Sequence, residues 1–173
     1  MSRFHDEFFQ QRGIEHDRLI LKCLSKEGQI KILSDIDFQK DGEEAVQLTK
    51  HDEPITSLLI DYETEVLCKS VSGFIIGYAD IVFTLQVRTS ESPHDPLTYV
   101  KYIIEVKPKI NDFGAVLRQL KTYKSVLERA KSRYVGPITI PIRMIIVTTS
   151  SVPCDVIEYL AHEQVRLVRI GEA

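Results

Sequence analysis

From residue 138 onward the chain reads as an apolar run, a short helix and a second apolar run: ITIPIRMIIVTTS (138–150), CDVIEYLAHE (154–163) and VRLVRI (165–170). The first run is rich in β-branched residues, the pattern of a strand buried on both faces. Two strands of one sheet joined through a helix lie parallel, with a right-handed crossover. That ending commits the chain to an α/β architecture in which helices cover a sheet.

The middle of the chain adds antiparallel pairing. FIIGYADIVFTLQV (74–87) and TYVKYIIEVK (98–107) flank TSESPHDPL (89–97), whose two prolines and small polar residues mark a loop. The spacing predicts an antiparallel pair, 74–88 against 98–107, so the sheet as a whole is mixed. Pro108 stops the second strand, and Asn111 or Asp112 is placed to cap a helix starting near Phe113. Val116, Leu120, Tyr123, Leu127 and Ala130 recur along that helix at helical spacing. Upstream, residues 29 to 88 read as β-rich, beginning with QIKILSDIDF and ITSLLIDYETEVLCKSV. Residues 14–27 read as a helix closed by Gly28, or alternatively as one arm of a hairpin turning at KEGQ.

One domain spanning 1–173 accommodates this pattern, given 43% hydrophobic residues and neither internal repeats nor a long Gly/Ser linker. The net charge of −3 rules out a globally basic surface, so any nucleic-acid contact rests on a local patch. Cys23, Cys68 and Cys154 are widely spaced and form no CxxC pair, which suits reduced thiols in a cytoplasmic protein. The chain opens without a signal-type apolar stretch and no run approaches 18 apolar residues, so neither secretion nor a membrane partner is expected.

Against this background two charges stand out. In YVKYIIEVKPKI (99–110), strand alternation places Ile103, Glu105 and Lys107 on one face and Tyr102, Ile104 and Val106 on the other. A Glu-x-Lys triplet arises by chance about 0.6 times in a chain of this length, so its position has to carry the weight. It closes an apolar strand, and the strand before it holds a second acid in apolar surroundings, Asp80 in GYADIVF. A carboxylate is costly to bury unless it is paired or binds a metal. Two neighbouring strands that each carry such an acid are the beginning of a cation site.

Metal-assisted phosphodiester hydrolysis uses such an arrangement. Magnesium takes oxygen ligands, commonly one or two carboxylates with waters and substrate phosphate completing the octahedron. Asp80 and Glu105 supply the carboxylates, and the backbone carbonyl of Val106 can add a third protein oxygen. Lys107, on the same face as Glu105, is placed to offset charge developing on the phosphate or the attacking water.

The string GYAD, the step of 25 residues from Asp80 to Glu105, IIEVK, and a following helix carrying Gln119 and Tyr123 together resemble the PD-(D/E)XK nuclease superfamily. The QLKTY segment is similar to the Gln-x-x-x-Tyr motif of its RecB-like and lambda-exonuclease-like branch. The resemblance covers roughly residues 74–150. It implies a restriction-endonuclease-like mixed β-sheet flanked by helices, a Mg2+-dependent nuclease with Mn2+ as substitute, and nucleic acid, most readily DNA, as partner. The implied roles are metal binding for Asp80 and Glu105, catalysis for Lys107, and positioning of substrate and active-site groups for Gln119 and Tyr123. Ala79 stands where the family name has proline. The resemblance also implies an acid on an N-terminal helix, for which Glu15 is the candidate, with Glu63 and Glu65 as competitors. His16 is a further candidate ligand, although a histidine beside Asp17 more often lies at the surface.

Read without the resemblance, Gln119 and Tyr123 are a boundary pair four residues apart on one helical face. Arg118, Lys121, Lys124, Arg129, Lys131 and Arg133 give the same helix and its exit a positive face. Most such runs are solvated surface, yet this one follows the candidate site, where a phosphate backbone needs neutralising; Arg118, Lys121 and Lys124 are the candidate phosphate contacts. The alternative function is a non-catalytic nucleic-acid-binding or assembly module that retains the same fold. Strandedness of the substrate, mode of cleavage and any homo-oligomer stay open.

Overall fold

The computed structural model describes residues 13–35, 44–45, 59–70, 72–88, 98–129 and 141–171. Among them are four helices, α1 (Ile14–Leu24), α2 (Lys26–Ser34), α3 (Phe113–Arg129) and α4 (Cys154–His162), and six strands, β1 (Glu44–Ala45), β2 (Leu59–Lys69), β3 (Ile75–Arg88), β4 (Thr98–Val106), β5 (Ile142–Thr148) and β6 (Val165–Arg169). The loop expected at 89–97, Ala130, and the basic residues Lys131 and Arg133 lie outside the described residues.

The sheet is mixed, as expected. Its order is β1-β3-β4-β5-β6, with β2 also paired to β3. β3 pairs antiparallel with both β2 and β4, while β4, β5 and β6 run parallel. Helices cover both faces. On one face Leu19, Cys23, Ile32 and Leu33 of α1 and α2 meet Ile81, Phe83, Leu85, Tyr102, Ile104, Val106 and Ile145. On the other, Val116, Leu117, Leu120 and Tyr123 of α3 and Leu160 of α4 meet Ala79, Val82, Ile103, Met144 and Ile146. The alternation within β4 is as expected, with Tyr102, Ile104 and Val106 toward α1 and Ile103 toward α3.

The N-terminal region departs from the sequence reading in two respects. Residues 14–24 are helical and not a hairpin arm, but Gly28 does not close that helix; Ser25 does, its amide bonding to Leu21 O at 3.0 Å. Residues 29–34, expected as a strand, continue a second helix whose N-cap is the same Ser25, accepting from the Gly28 amide at 3.1 Å. The cap decides the outcome by satisfying an amide that the first turn leaves open. Gly28 instead sits where the helices touch, because a Cβ there would lie 1.8 Å from the Lys22 carbonyl oxygen. At α3 the expectation holds, and Asp112 is the cap, its Oδ1 accepting from Ala115 N at 2.9 Å.

Candidate active site

The strand β3 changes the face it presents at Asp80. Ala79 belongs to the α3 side, whereas Ile81 belongs to the α1 side although it is two residues further along. Regular alternation would put both on one side, so the backbone turns over between them. β2 carries a matching irregularity, since Glu65 between the rungs Thr64–Ile81 and Val66–Ala79 has φ 53°. A non-glycine residue in that left-handed region is uncommon within a strand. The turnover lifts the Asp80 carboxylate to the end of β4, where neither face claims it. Its charge raises the pKa of both Cys23, on the α1 side, and Tyr123, on the α3 side, although burial is the larger cause for each.

Three groups converge at this end of the sheet. Oδ2 of Asp80 accepts the Val106 amide at 2.8 Å and lies 3.3 Å from Nε2 of His16. Asp80 is 1% exposed and Glu105 is 0% exposed. Glu105 follows the α3-side alternation of Ile103, and its Oε1 is 2.7 Å from Nζ of Lys107. The two acids therefore stand on adjacent antiparallel strands, with Asp80 bonded to the amide that directly follows Glu105. The pairing β3–β4 is registered up to Ile81–Ile104, one position before these acids.

The backbone beneath Lys107 is held from β5. The Lys107 amide bonds to Val147 O at 2.8 Å. Immediately beyond, the carbonyl of Pro108 accepts from the hydroxyls of Thr148 (3.1 Å), Thr149 (2.9 Å) and Ser150 (2.8 Å). A lysine mounted on a strand end latched in this way has a fixed origin for its side chain, which a catalytic group requires.

Gln119 and Tyr123 meet on α3: Gln119 Nε2 donates to the Tyr123 hydroxyl at 2.9 Å. Burial pushes the Tyr123 hydroxyl up to about 12, with the nearby Glu105 charge also raising it. Tyr123 reaches across to β3 over Gly77, where a Cβ would lie 2.4 Å from its hydroxyl oxygen. Glycine is needed at that position for close approach.

Other candidates fall differently. Glu15 is exposed on α1, and it is the neighbouring His16, with a side chain 11% exposed, that meets Asp80. His16 is thus not the surface residue its neighbour Asp17 suggested. The signal was present, because His16, Leu19 and Cys23 recur at i, i+3 and i+7 and share the buried stripe of the helix. Glu63 is half exposed and 3.9 Å from Lys101. On α3, Arg118 is 4.0 Å from Asp112, Lys121 is 2.5 Å from Glu163, and Lys124 is 3.9 Å from Glu128. Each expected phosphate contact is therefore already matched to a carboxylate, a feature of folding that a count of lysines and arginines does not reveal.

The donor set suits a hard divalent cation: two buried carboxylates on adjoining strands, with an imidazole at one of them. Among the described residues no three His, Cys, Asp or Glu side chains are gathered tightly enough to hold a metal by themselves. Magnesium does not require three, since waters and substrate phosphate commonly complete its shell. No helix among the described residues is long and apolar enough to cross a membrane. No family model, curated protein or solved structure matches the chain.

Proposed function

We propose that this chain is a divalent-metal-dependent nuclease of the PD-(D/E)XK type, with a restriction-endonuclease-like fold, acting on DNA in the cytoplasm. The observation that carries the reading is the meeting of Asp80, His16 and the Val106 amide directly beside the buried Glu105–Lys107 pair. Asp80 and Glu105 are the residues that would hold Mg2+ or Mn2+. Such an ion, when bound, supplies Lewis-acid polarisation of a phosphoryl oxygen and an activated water. The chain's own residues do the rest. Lys107 offers its ammonium to the phosphate as charge accumulates. His16 and the Val106 amide orient Asp80, and the Gln119–Tyr123 pair fixes the wall of the site against Gly77. The test is cleavage of labelled single-stranded DNA, duplex DNA and RNA in Mg2+, Mn2+ or EDTA. Metal-dependent product with the wild type and none with Glu105→Gln supports the reading; no product on any substrate in either metal overturns it.

A second reading is a non-catalytic binding or assembly module. It is favoured by the 2.7 Å Glu105–Lys107 contact, which satisfies the buried acid without an ion, and by the pairing of the α3 cations. In that reading Mg2+ adds nothing to thermal stability. A melting curve run with and without the ion separates the two.

A further inference from the structure

The parallel strands β4, β5 and β6 end together, and one row of side chains crosses their ends. Val106 pairs with Val147 of β5, and Thr148 pairs with Arg169 of β6. The bond from the Lys107 amide to Val147 O continues that register, so Lys107, Thr148 and Arg169 follow one another across the sheet. They stand two residues beyond Glu105, Ile146 and Leu167, which form the row beneath. Ile146 belongs to the core under α3 and Leu167 packs against it. Alternation therefore puts Lys107, Thr148 and Arg169 on the face that carries Glu105, and the 2.7 Å contact of Lys107 with Glu105 agrees. Ligands of open α/β sheets bind outside the carboxyl ends of the strands, and this row is that edge.

Arg169, at the end of the row, is exposed, and its Nε donates to Thr149 O at 3.3 Å. A guanidinium has five N–H donors. Among the described residues no carboxylate pairs with this one, Asp155 in the first turn of α4 included, whereas Arg118, Lys121 and Lys124 of α3 each meet an acid. Its mount is fixed, since the Ile170 amide bonds to Thr148 O at 3.0 Å. Beside it three hydroxyls converge on Pro108 O, yet a carbonyl oxygen has only two lone pairs. Thr148 is fully buried and also accepts the Ser150 amide at 3.2 Å, so it stays in place. Thr149 and Ser150 are half-buried, and one of their hydroxyls can turn outward without leaving the carbonyl unsatisfied. A guanidinium fork beside a spare hydroxyl, two strand spacings or about 10 Å from Lys107, suits a phosphate. We infer that Arg169 and Ser150 bind an internal phosphodiester of the substrate strand, at a fixed offset from the linkage cleaved at Asp80 and Glu105. The inference rests on the nuclease reading and adds the residues that set the register of the strand. At 3.4 Å of axis per nucleotide the offset is about three linkages.

The test is cleavage by the full chain in Mg2+, mapped to the linkage, on single-stranded and duplex DNA in which one phosphodiester at a time is replaced by an uncharged methylphosphonate. With the wild type, a neutral linkage at one offset from the cleaved bond should lower kcat/KM roughly 10- to 100-fold, the loss expected for hydrogen bonds to a charged group. Arg169→Ala should lower kcat/KM on unmodified DNA by the same factor and lose the sensitivity at that offset alone, while neutral linkages elsewhere act on both proteins alike. Arg169→Lys keeps the charge without the fork and should recover part of the loss. Ser150→Ala should cost about 3- to 10-fold in kcat/KM and leave Tm unchanged, because Thr148 and Thr149 still satisfy Pro108 O. Arg169 is exposed, so Arg169→Ala keeps its fold, which a melting curve verifies. An Arg169→Ala protein that cleaves like the wild type or keeps its sensitivity at every offset overturns the subsite and leaves the nuclease reading standing. So does a wild type that cleaves but ignores neutral linkages at every offset. A wild type that cleaves no nucleic acid removes the nuclease reading, and the subsite falls with it.

Discussion

Nε2 of His16 lies 3.3 Å from Oδ2 of Asp80, joining the first described helix to a strand 64 residues later. If Asp80 holds the proposed ion, an imidazole that orients its carboxylate acts on affinity for that ion more than on the fold. His16→Ala is expected to weaken Mn2+ binding about 10- to 100-fold, the usual effect of removing such a partner. The measurement is the rise in Tm with Mn2+ concentration, which follows the dissociation constant through mass action. An unchanged titration would mean that His16 only packs.

Glu105 and Lys107 should respond to substitution with opposite signs. Without a metal, Lys107→Ala leaves a buried carboxylate deprived of its ammonium, a change expected to cost up to about 3 kcal/mol. Mg2+ should recover part of that loss, because the ion replaces the missing positive charge. Glu105→Gln removes the charge at nearly constant shape, so metal-free stability should hold or rise while the Mg2+ response and cleavage disappear. Urea unfolding of both variants, with Mg2+ and with EDTA, reads these outcomes directly.

Gly77 and Tyr123 form a tight joint. Gly77→Ala forces a methyl group to within 2.4 Å of the Tyr123 hydroxyl oxygen, so the ring and the Gln119 amide bonded to it must shift. Overpacking of this kind costs about 1–3 kcal/mol. Tyr123→Phe removes only the hydrogen bond, at about 1 kcal/mol. If the pair positions the active site, Gly77→Ala should also lower kcat on oligonucleotides at a temperature where the variant is fully folded.

Three buried groups give the stability an alkaline limit. Burial pushes the Cys23 thiol from 9.0 up to about 12, the Cys68 thiol from 9.0 up to about 11, and the Tyr123 hydroxyl from 10.0 up to about 12. An acid whose folded pKa is raised stabilises fully below its unfolded pKa, and that stability is lost as pH rises toward the folded value. Stability should therefore be level with respect to these groups up to about pH 9 and fall above it. Each group should steepen the slope by about 1.4 kcal/mol per pH unit once the unfolded form ionises. Urea midpoints from pH 8 to 10.5 check this, and Cys23→Ala should flatten the decline. Thiol reagents at neutral pH should label exposed Cys154 and spare the two buried cysteines.

The cations of α3 must leave their carboxylates before they can reach a phosphate. If they do so, the combined Arg118→Ala, Lys121→Ala and Lys124→Ala variant should lower the slope of log K against log salt by about 0.7 per contact on single strands. Binding isotherms at several salt concentrations measure the slope. A slope equal to that of the wild type assigns these residues to the folded surface alone.

What the sequence determined by itself was what repeats over short range. Alternation in YVKYIIEVK put Glu105 beside Lys107, Asn111 or Asp112 announced the start of α3, and the apolar 138–150 run announced a buried parallel strand. These patterns are legible because each residue's face depends on its immediate neighbours and the period of the element. Tertiary structure decided the rest. QIKIL alternates as a strand would, yet it is helical because Ser25 caps it and Ile32 and Leu33 pack beneath α1. The turnover of β3 at Asp80 depends on an irregularity in the partner strand at Glu65, and the pairing of Lys121 with Glu163 joins two helices 42 residues apart. Such relationships depend on which elements the packed sheet brings together. A local period fixes the direction of a side chain along its own element; only the closure of the chain around both cores places His16 against Asp80, or Tyr123 over Gly77.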